Sequence, residues 1–173
     1  TLAWAKHWNM QLEFVDRKTY RMRDNEVYLK QLQQQYPDHF IIPEGGSNLL
    51  ALKGVSEIIE ELSQQCEFDT LMTPVGSGGT LAGLIMGDHC KHNLLGIAVL
   101  KQQNYLEQAV LSLLPNQIKQ SNNWRIAHEF HRGGYAKFSQ IDADRIRTFS
   151  HLVGIDFEPI YSGKMILALL DLI

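Results

Sequence analysis

The run Thr73-Pro74-Val75-Gly76-Ser77-Gly78-Gly79-Thr80-Leu81-Ala82-Gly83 sets hydroxyls among glycines, between an apolar segment and a string of small residues. A loop of this kind lets backbone N–H groups converge on an anion, and Ser77 and Thr80 add hydroxyl donors. A helix starting just after it contributes partial positive charge from its N-terminus. Phosphate suits that chemistry. The loop is not a Walker A motif, because no Lys-Ser/Thr pair follows the glycines, and the spacing of Gly76, Gly78 and Gly79 departs from GxGxxG. The competing reading is a tight turn that needs glycine only for positive φ and close packing. The interleaved Ser and Thr favour the anion.

Three further clusters invite chemistry. In Pro43-Glu44-Gly45-Gly46-Ser47-Asn48, Ser47 or Asn48 is suited to cap a following helix, a role preferred to direct ligation, while Glu44 belongs to a site edge or to solvent. His131-Arg132-Gly133-Gly134-Tyr135-Ala136-Lys137 follows an apolar segment, where an α/β sheet collects its site residues. Tyr135 offers a ring and a phenol there, or is a half-buried tyrosine on a surface turn. His128 and His131, three apart on what reads as a strand, face opposite ways and do not make a joint metal site. Asp156-Phe157-Glu158-Pro159-Ile160-Tyr161-Ser162-Gly163-Lys164 leads into the last apolar run. Tyr161 and Ser162 read as site donors, or Ser162 as a helix cap, with the cap slightly ahead. Lys164, with no visible neighbour to lower its pKa, reads as a solvated side chain rather than a Schiff-base lysine.

The elements that must position these residues alternate. Gln11–Val15 and Phe40–Ile42 read as short strands and Asn25–Gln35 as a polar helix. A helix from about Asn48 to Leu62 carries Leu52, Val55, Ile58, Ile59 and Leu62 on one face. Thr70–Val75, Leu95–Leu100 and Trp124–Phe130 read as strands, separated by helices at Thr80–Met86 and Tyr105–Leu114. A helix at Asp142–Leu152 stops at Gly154, and Met165–Ile173 is a terminal apolar helix. Repeated strand–helix units predict a three-layer α/β/α arrangement with a mostly parallel sheet and ligands at the carboxyl ends of its strands. The turn around Pro43–Gly46 is the expected boundary, giving a smaller piece over 1–45 and the main α/β domain over 46–173. Both ends fall inside apolar elements, which reads as a piece of a longer chain.

Composition narrows the function classes. The 173 residues are 45% hydrophobic and 20% charged, as in a globular protein with a real core. Sixteen Lys and Arg against nineteen Asp and Glu give a charge of −3, without a basic run to neutralise a nucleic-acid backbone. A small-molecule partner fits better. Two cysteines, Cys66 and Cys90, lack zinc spacing, and their scarcity predicts a reducing, cytoplasmic setting. The apolar runs fall short of the roughly 20 residues a bilayer requires.

In this order, EGGSN at 44–48, PVGSGGTLAGL at 74–84, GGYAK at 133–137 and EPIYSGK at 158–164 resemble one family. It is the fold type II pyridoxal-phosphate enzymes that include D-cysteine desulfhydrase and 1-aminocyclopropane-1-carboxylate (ACC) deaminase. The resemblance implies pyridoxal 5'-phosphate as cofactor, with Gly76, Ser77, Gly78, Gly79 and Thr80 around its phosphate, where the anion argument had already led. It implies a small amino acid as substrate, Tyr135 and Tyr161 beside it, and Tyr161 as the stronger proton-transfer group. Ser162 matches a position that is Glu in ACC deaminases and Ser or Thr in desulfhydrases, which leans toward a D-cysteine desulfhydrase releasing pyruvate, ammonia and sulfide. The family's Schiff-base lysine belongs to a segment this sequence lacks, so the chain alone is expected to be inactive and the parent protein a homodimer. Ala136 and Met165 depart from smaller family residues. Two rival readings stand beside this one: a non-catalytic α/β module for a phosphorylated small molecule, and a structural oligomerising core with an empty loop.

Overall fold

The structure, a computed structural model, describes residues 2–101 and 105–173. It divides into two compact units, Thr1–Glu44 and Gly45–Ile173; Thr1 itself lies outside the described residues.

The first unit holds helices α1 (Leu2–His7), α2 (Arg17–Tyr20) and α3 (Glu26–Gln35), none of which buries a residue completely. Short polar side chains start two of them. The Asp16 carboxylate accepts the Thr19 N–H at 2.7 Å, and Asn25 Oδ1 accepts those of Val27 and Tyr28. Gln11–Val15 and Phe40–Ile42 are not strands, contrary to expectation. Gln11–Val15 alternates and Phe40–Ile42 is apolar throughout, but among the described residues no neighbouring strand takes their backbone groups, and Phe14 and Phe40 stay exposed. Glu44 is an internal tie of this unit. It accepts the Tyr20 hydroxyl and pairs with Arg23 Nε at 2.5 Å. The Tyr20 hydrogen bond, helped by Arg23 and opposed by burial, holds its carboxyl below the usual range.

The second unit runs α4 (Leu49–Gln65), β1 (Thr70–Val75), α5 (Gly79–Asp88), β2 (Asn93–Ala98), α6 (Tyr105–Leu113), β3 (Trp124–Ala127), α7 (Gln140–Val153) and α8 (Ser162–Leu172). Its three strands pair in the order β1-β2-β3, all parallel, with Val75 opposite Ala98 and Ile97 opposite Ala127. Side chains of β2 alternate between two cores. Leu94 and Ala98 pack with Leu52, Leu81, Leu106 and Val110 of α4, α5 and α6, whereas Leu95 and Ile97 pack with Ala127 and with Ala168 of α8. This is the expected three-layer α/β/α arrangement with a parallel sheet.

Two glycines set how closely α4 and α5 approach. A Cβ on Gly83 would lie 2.5 Å from Val55 Cβ, and one on Gly87 2.4 Å from the Ser56 carbonyl oxygen. The helices therefore touch almost backbone to backbone. Asn48 caps α4 through the Ala51 N–H at 2.9 Å, and α7 has a reciprocal capping box between Ser139 and Asp142. Gly154 ends α7 at φ 70°, as predicted.

The third strand stops at Ala127 instead of running to Phe130. Its partner β2 ends at Ala98, paired one residue earlier to Ala127, and beyond this point the chain turns into left-handed conformations at Arg132, Gly133, Gly134 and Ala136. At the opposite end of the sheet, fully buried Asp88 accepts the His92 N–H at 3.0 Å and Asn123 Nδ2 at 2.8 Å. That network secures the chain entering β2 and β3, away from the strands' carboxyl ends. No helix among the described residues is long and apolar enough to cross a membrane.

Candidate functional site

The β1–α5 turn carries the glycine and hydroxyl run. Val75 ends the strand, Gly78 sits at φ 87° as the N-cap of α5, and no side chain caps that helix end. The first turn of α5 also contains no acidic residue, so its amides and dipole are available to an anion. Glycine is required at Gly78 for its positive φ and because a Cβ there would come 3.0 Å from Val110 Cγ2. Ser77 and Thr80 stand exposed on either side.

The two glycine clusters meet in space. Ser47 and Ser77 share a hydroxyl–hydroxyl hydrogen bond of 2.7 Å, and a Cβ on Gly79 would lie 2.5 Å from Ser47 Oγ. The expected capping role therefore splits. Asn48 is the cap, and Ser47 is turned onto the glycine loop. Thirty residues separate Ser47 from Ser77, and no local pattern advertises the pairing.

Tyr161 crosses above this loop, close enough that a Cβ on Gly76 would lie 3.0 Å from Tyr161 Cε1. Tyr135 meets the Tyr161 ring edge-on, with centroids 6.0 Å apart and planes at 70°. Both rings are partly open to solvent, at 54% for Tyr135 and 40% for Tyr161. Gly76, Tyr161 and Tyr135 are thus gathered at the carboxyl edge of the sheet.

Ser162 is the first residue of α8, not its cap; the N-cap position belongs to Tyr161, which makes no side-chain cap bond. The capping acceptor is Glu158. Its carboxylate takes the N–H groups of Ile160 at 2.7 Å, Tyr161 at 2.8 Å and Ser162, and the Ser162 hydroxyl at 3.1 Å. Burial pushes the Glu158 carboxyl up, but the N–H groups of Ser162, Ile160 and Tyr161 outweigh it and hold the pKa below its ordinary value.

The 131–137 turn is held from within and from outside. His131 Nδ1 accepts the Gly133 N–H at 2.8 Å, the Gly134 carbonyl accepts the Lys137 N–H at 3.1 Å, and Arg132 pairs with Asp171 of α8 and lies 3.7 Å from Asp142 of α7. His128 instead pairs with Glu107 at 2.6 Å. The two histidines serve different partners, and among the described residues no group of three His, Cys, Asp or Glu is placed to hold a metal.

Lys164 reverses its sequence reading. It is 0% exposed, and its ammonium donates to the Val99 carbonyl at 3.1 Å and the Gly134 carbonyl at 2.6 Å. The first turn of α8 aims the side chain inward beneath the strand ends, a placement set by packing that its sequence neighbours do not encode. Burial lowers its pKa and the charge of Glu158 opposes that shift.

No family model matches the chain. Among solved structures, the crystal structure of an ACC deaminase homologue superposes with a TM-score of 0.77 at 24% sequence identity, covering 98% of this chain and 56% of that one. The two share a fold. The chain therefore spans little more than half the length of that neighbour.

Proposed function

We propose that the second unit binds pyridoxal 5'-phosphate and that the whole protein is a pyridoxal-phosphate-dependent lyase or deaminase acting on a small amino acid. The observation that carries this reading is the uncapped start of α5, flanked by the Ser77 and Thr80 hydroxyls and overhung by Tyr161. The residues present fit the phosphate: a loop of glycines, packed so closely that a Cβ at Gly76, Gly78 or Gly79 would meet Tyr161, Val110 or Ser47, leads into unneutralised helix amides. Ser77, Gly78, Gly79 and Thr80 would hold the phosphate, and Ser47 would turn its hydroxyl from Ser77 toward it. Pyridoxal phosphate, when bound, supplies an electron sink for bonds at an amino acid's Cα.

The chain's own residues then orient and protonate. Tyr161, partly open to solvent and with its ring edge close over Gly76, would hold or pass a proton at the substrate through its phenol, and the Tyr135 ring edge-on to it would shield one side from water. Lys164 fits no Schiff base, since its ammonium is fully buried and engaged by two carbonyls. Ser162, a neutral hydroxyl where ACC deaminases carry a glutamate, supports β-elimination of D-cysteine to pyruvate, ammonia and sulfide. ACC deamination is the second reading, favoured by the ACC deaminase homologue that shares the fold.

Titration of the chain with pyridoxal phosphate, pyridoxal and inorganic phosphate tests the site. Pyridoxal phosphate should bind at least about tenfold more tightly than pyridoxal, as several amide and hydroxyl contacts to a dianion require. Equal affinities would overturn the reading. Binding of phosphate without pyridoxal phosphate would mean a module for another phosphorylated molecule, and no anion binding would mean a purely structural turn.

A further inference from the structure

Among the described residues Lys164 is the largest fully buried side chain, and the proton-transfer chemistry proposed above does not use it. A buried ammonium is costly to desolvate, and an apolar residue of similar volume would ordinarily serve packing better. What distinguishes this one is the pair of carbonyls it joins. Val99 follows the last residue of β2, and Gly134 lies in the turn after β3, immediately before Tyr135.

A second observation bears on the same turn. Arg132, Gly133, Gly134 and Ala136 all have positive φ, at 53°, 93°, 117° and 55°. Arg132 and Ala136 carry a Cβ in the left-handed region, a conformation that persists only where the surroundings enforce it. One enforcing contact is the Arg132 pairing with Asp171, at one end of the turn. Another is the Lys164 ammonium on the Gly134 carbonyl, which fixes the peptide leading directly into Tyr135. On the other side of the ring pair, Glu158 gathers the amides of Ile160, Tyr161 and Ser162 and so sets the start of α8 from which both Tyr161 and Lys164 project.

We infer that Lys164 is the positioning residue of the Tyr135–Tyr161 pair: its buried ammonium ties the Gly134 carbonyl to the end of β2 and thereby holds Tyr135 edge-on to Tyr161. The inference rests on the proposed function only for the statement that these tyrosines face a ligand. The clamp itself is a property of the chain.

Solution NMR of the whole chain tests it. In the wild type, the Lys164 Nζ protons should be protected from exchange and show cross-peaks to Gly134 and Val99; a folded chain without those contacts overturns the proposal. In Lys164→Met, cross-peaks between the Tyr135 and Tyr161 rings should vanish. The Gly134 and Lys137 amides, which donate to the His131 and Gly134 carbonyls, should exchange about tenfold faster or more, the factor that loss of one charge-assisted hydrogen bond brings. The β2 amides of Leu95 and Ile97 should keep their protection. Ring cross-peaks that survive beside a protected β2 overturn the proposal.

Rescue separates the ammonium from the volume it fills. Lys164→Cys, in a chain also carrying Cys66→Ser and Cys90→Ser, can be alkylated with bromoethylamine while unfolded and then refolded, which restores an ammonium at nearly the same reach. The ring cross-peaks should return, and a refolded chain in which they do not return counts against the clamp. Should Lys164→Met fail to fold, the wild-type contacts decide. None of these readouts requires pyridoxal phosphate. A chain that binds none but loses its ring contact in Lys164→Met removes the proposed function and keeps the clamp.

Discussion

Thr80 stands exposed in the first turn of α5, a turn with no acidic residue and an N-cap that supplies no side-chain acceptor. Thr80→Glu puts a carboxylate where the helix dipole attracts one, which should stabilise the second unit by about 0.3–1 kcal/mol. Its thermal midpoint should rise by roughly 1–3 °C. The same carboxylate should repel a phosphate bound at the loop. At about 5 Å in water, one charge against a dianion costs roughly 1.7 kcal/mol, or about a twentyfold weaker Kd. The two effects have opposite signs, so general damage to the fold cannot mimic them. Thr80→Gln, with the same shape and no charge, is the control for helix propensity. Circular dichroism gives the midpoint and absorbance titration gives the affinity, the latter repeated at high ionic strength, where the penalty should shrink. A raised midpoint with an affinity equal to that of Thr80→Gln would refute the placement of phosphate at this loop. A lowered midpoint would refute the premise that the start of α5 is electrostatically unneutralised.

Three further outcomes follow from packing and charge, each readable in urea or acid unfolding. Asn48→Ala removes the cap of α4 and should cost about 0.5–2 kcal/mol, whereas Asn48→Gly should cost only a few tenths. Gly87→Ala drives a methyl group into the Ser56 carbonyl and should destabilise by about 1–3 kcal/mol despite its better helix propensity. Gly54→Ala, with open space around the new methyl, should stabilise by about 0.4–1 kcal/mol; equal effects at the two glycines would refute the close α4–α5 approach. Glu158 has a folded pKa below its ordinary 4.5. Its ionised form therefore contributes stability that is full above pH 4.5 and is lost as the pH falls through the depressed value. Glu158→Gln should flatten the acid limb of the stability profile, and an unchanged limb would mean that the α8 amides do not depend on the charge.

The parallel core was legible because local pattern and tertiary placement agree there. Thr70–Val75 is a short apolar run followed by glycines, and Gly154 closes a helix whose amphipathic period is unambiguous. The first unit was less legible. Gln11–Val15 alternates as a strand should, yet a strand also needs a neighbour, and no pattern inside five residues encodes one. Trp124–Phe130 failed at one end for a related reason. The strand lasts only as long as β2 remains opposite it, and β2 ends at Ala98.

The site divides along the same line. Ser77, Gly78 and Thr80 lie on one turn, so their spacing alone carries the anion argument, and the structure keeps them together at the start of α5. Residues that hold the site from below were invisible because their partners are remote in sequence. Ser47 reaches Ser77 across 30 positions, and Lys164 reaches Val99 across 65. Lys164 misled most, since an isolated lysine before a helix is usually solvated. Its burial becomes intelligible only when β2, the turn at Gly134 and the first turn of α8 are seen to converge on one point. An apolar residue could fill that point, but only a donor can fix two carbonyls on separate loops, and one of those carbonyls belongs to the residue before Tyr135.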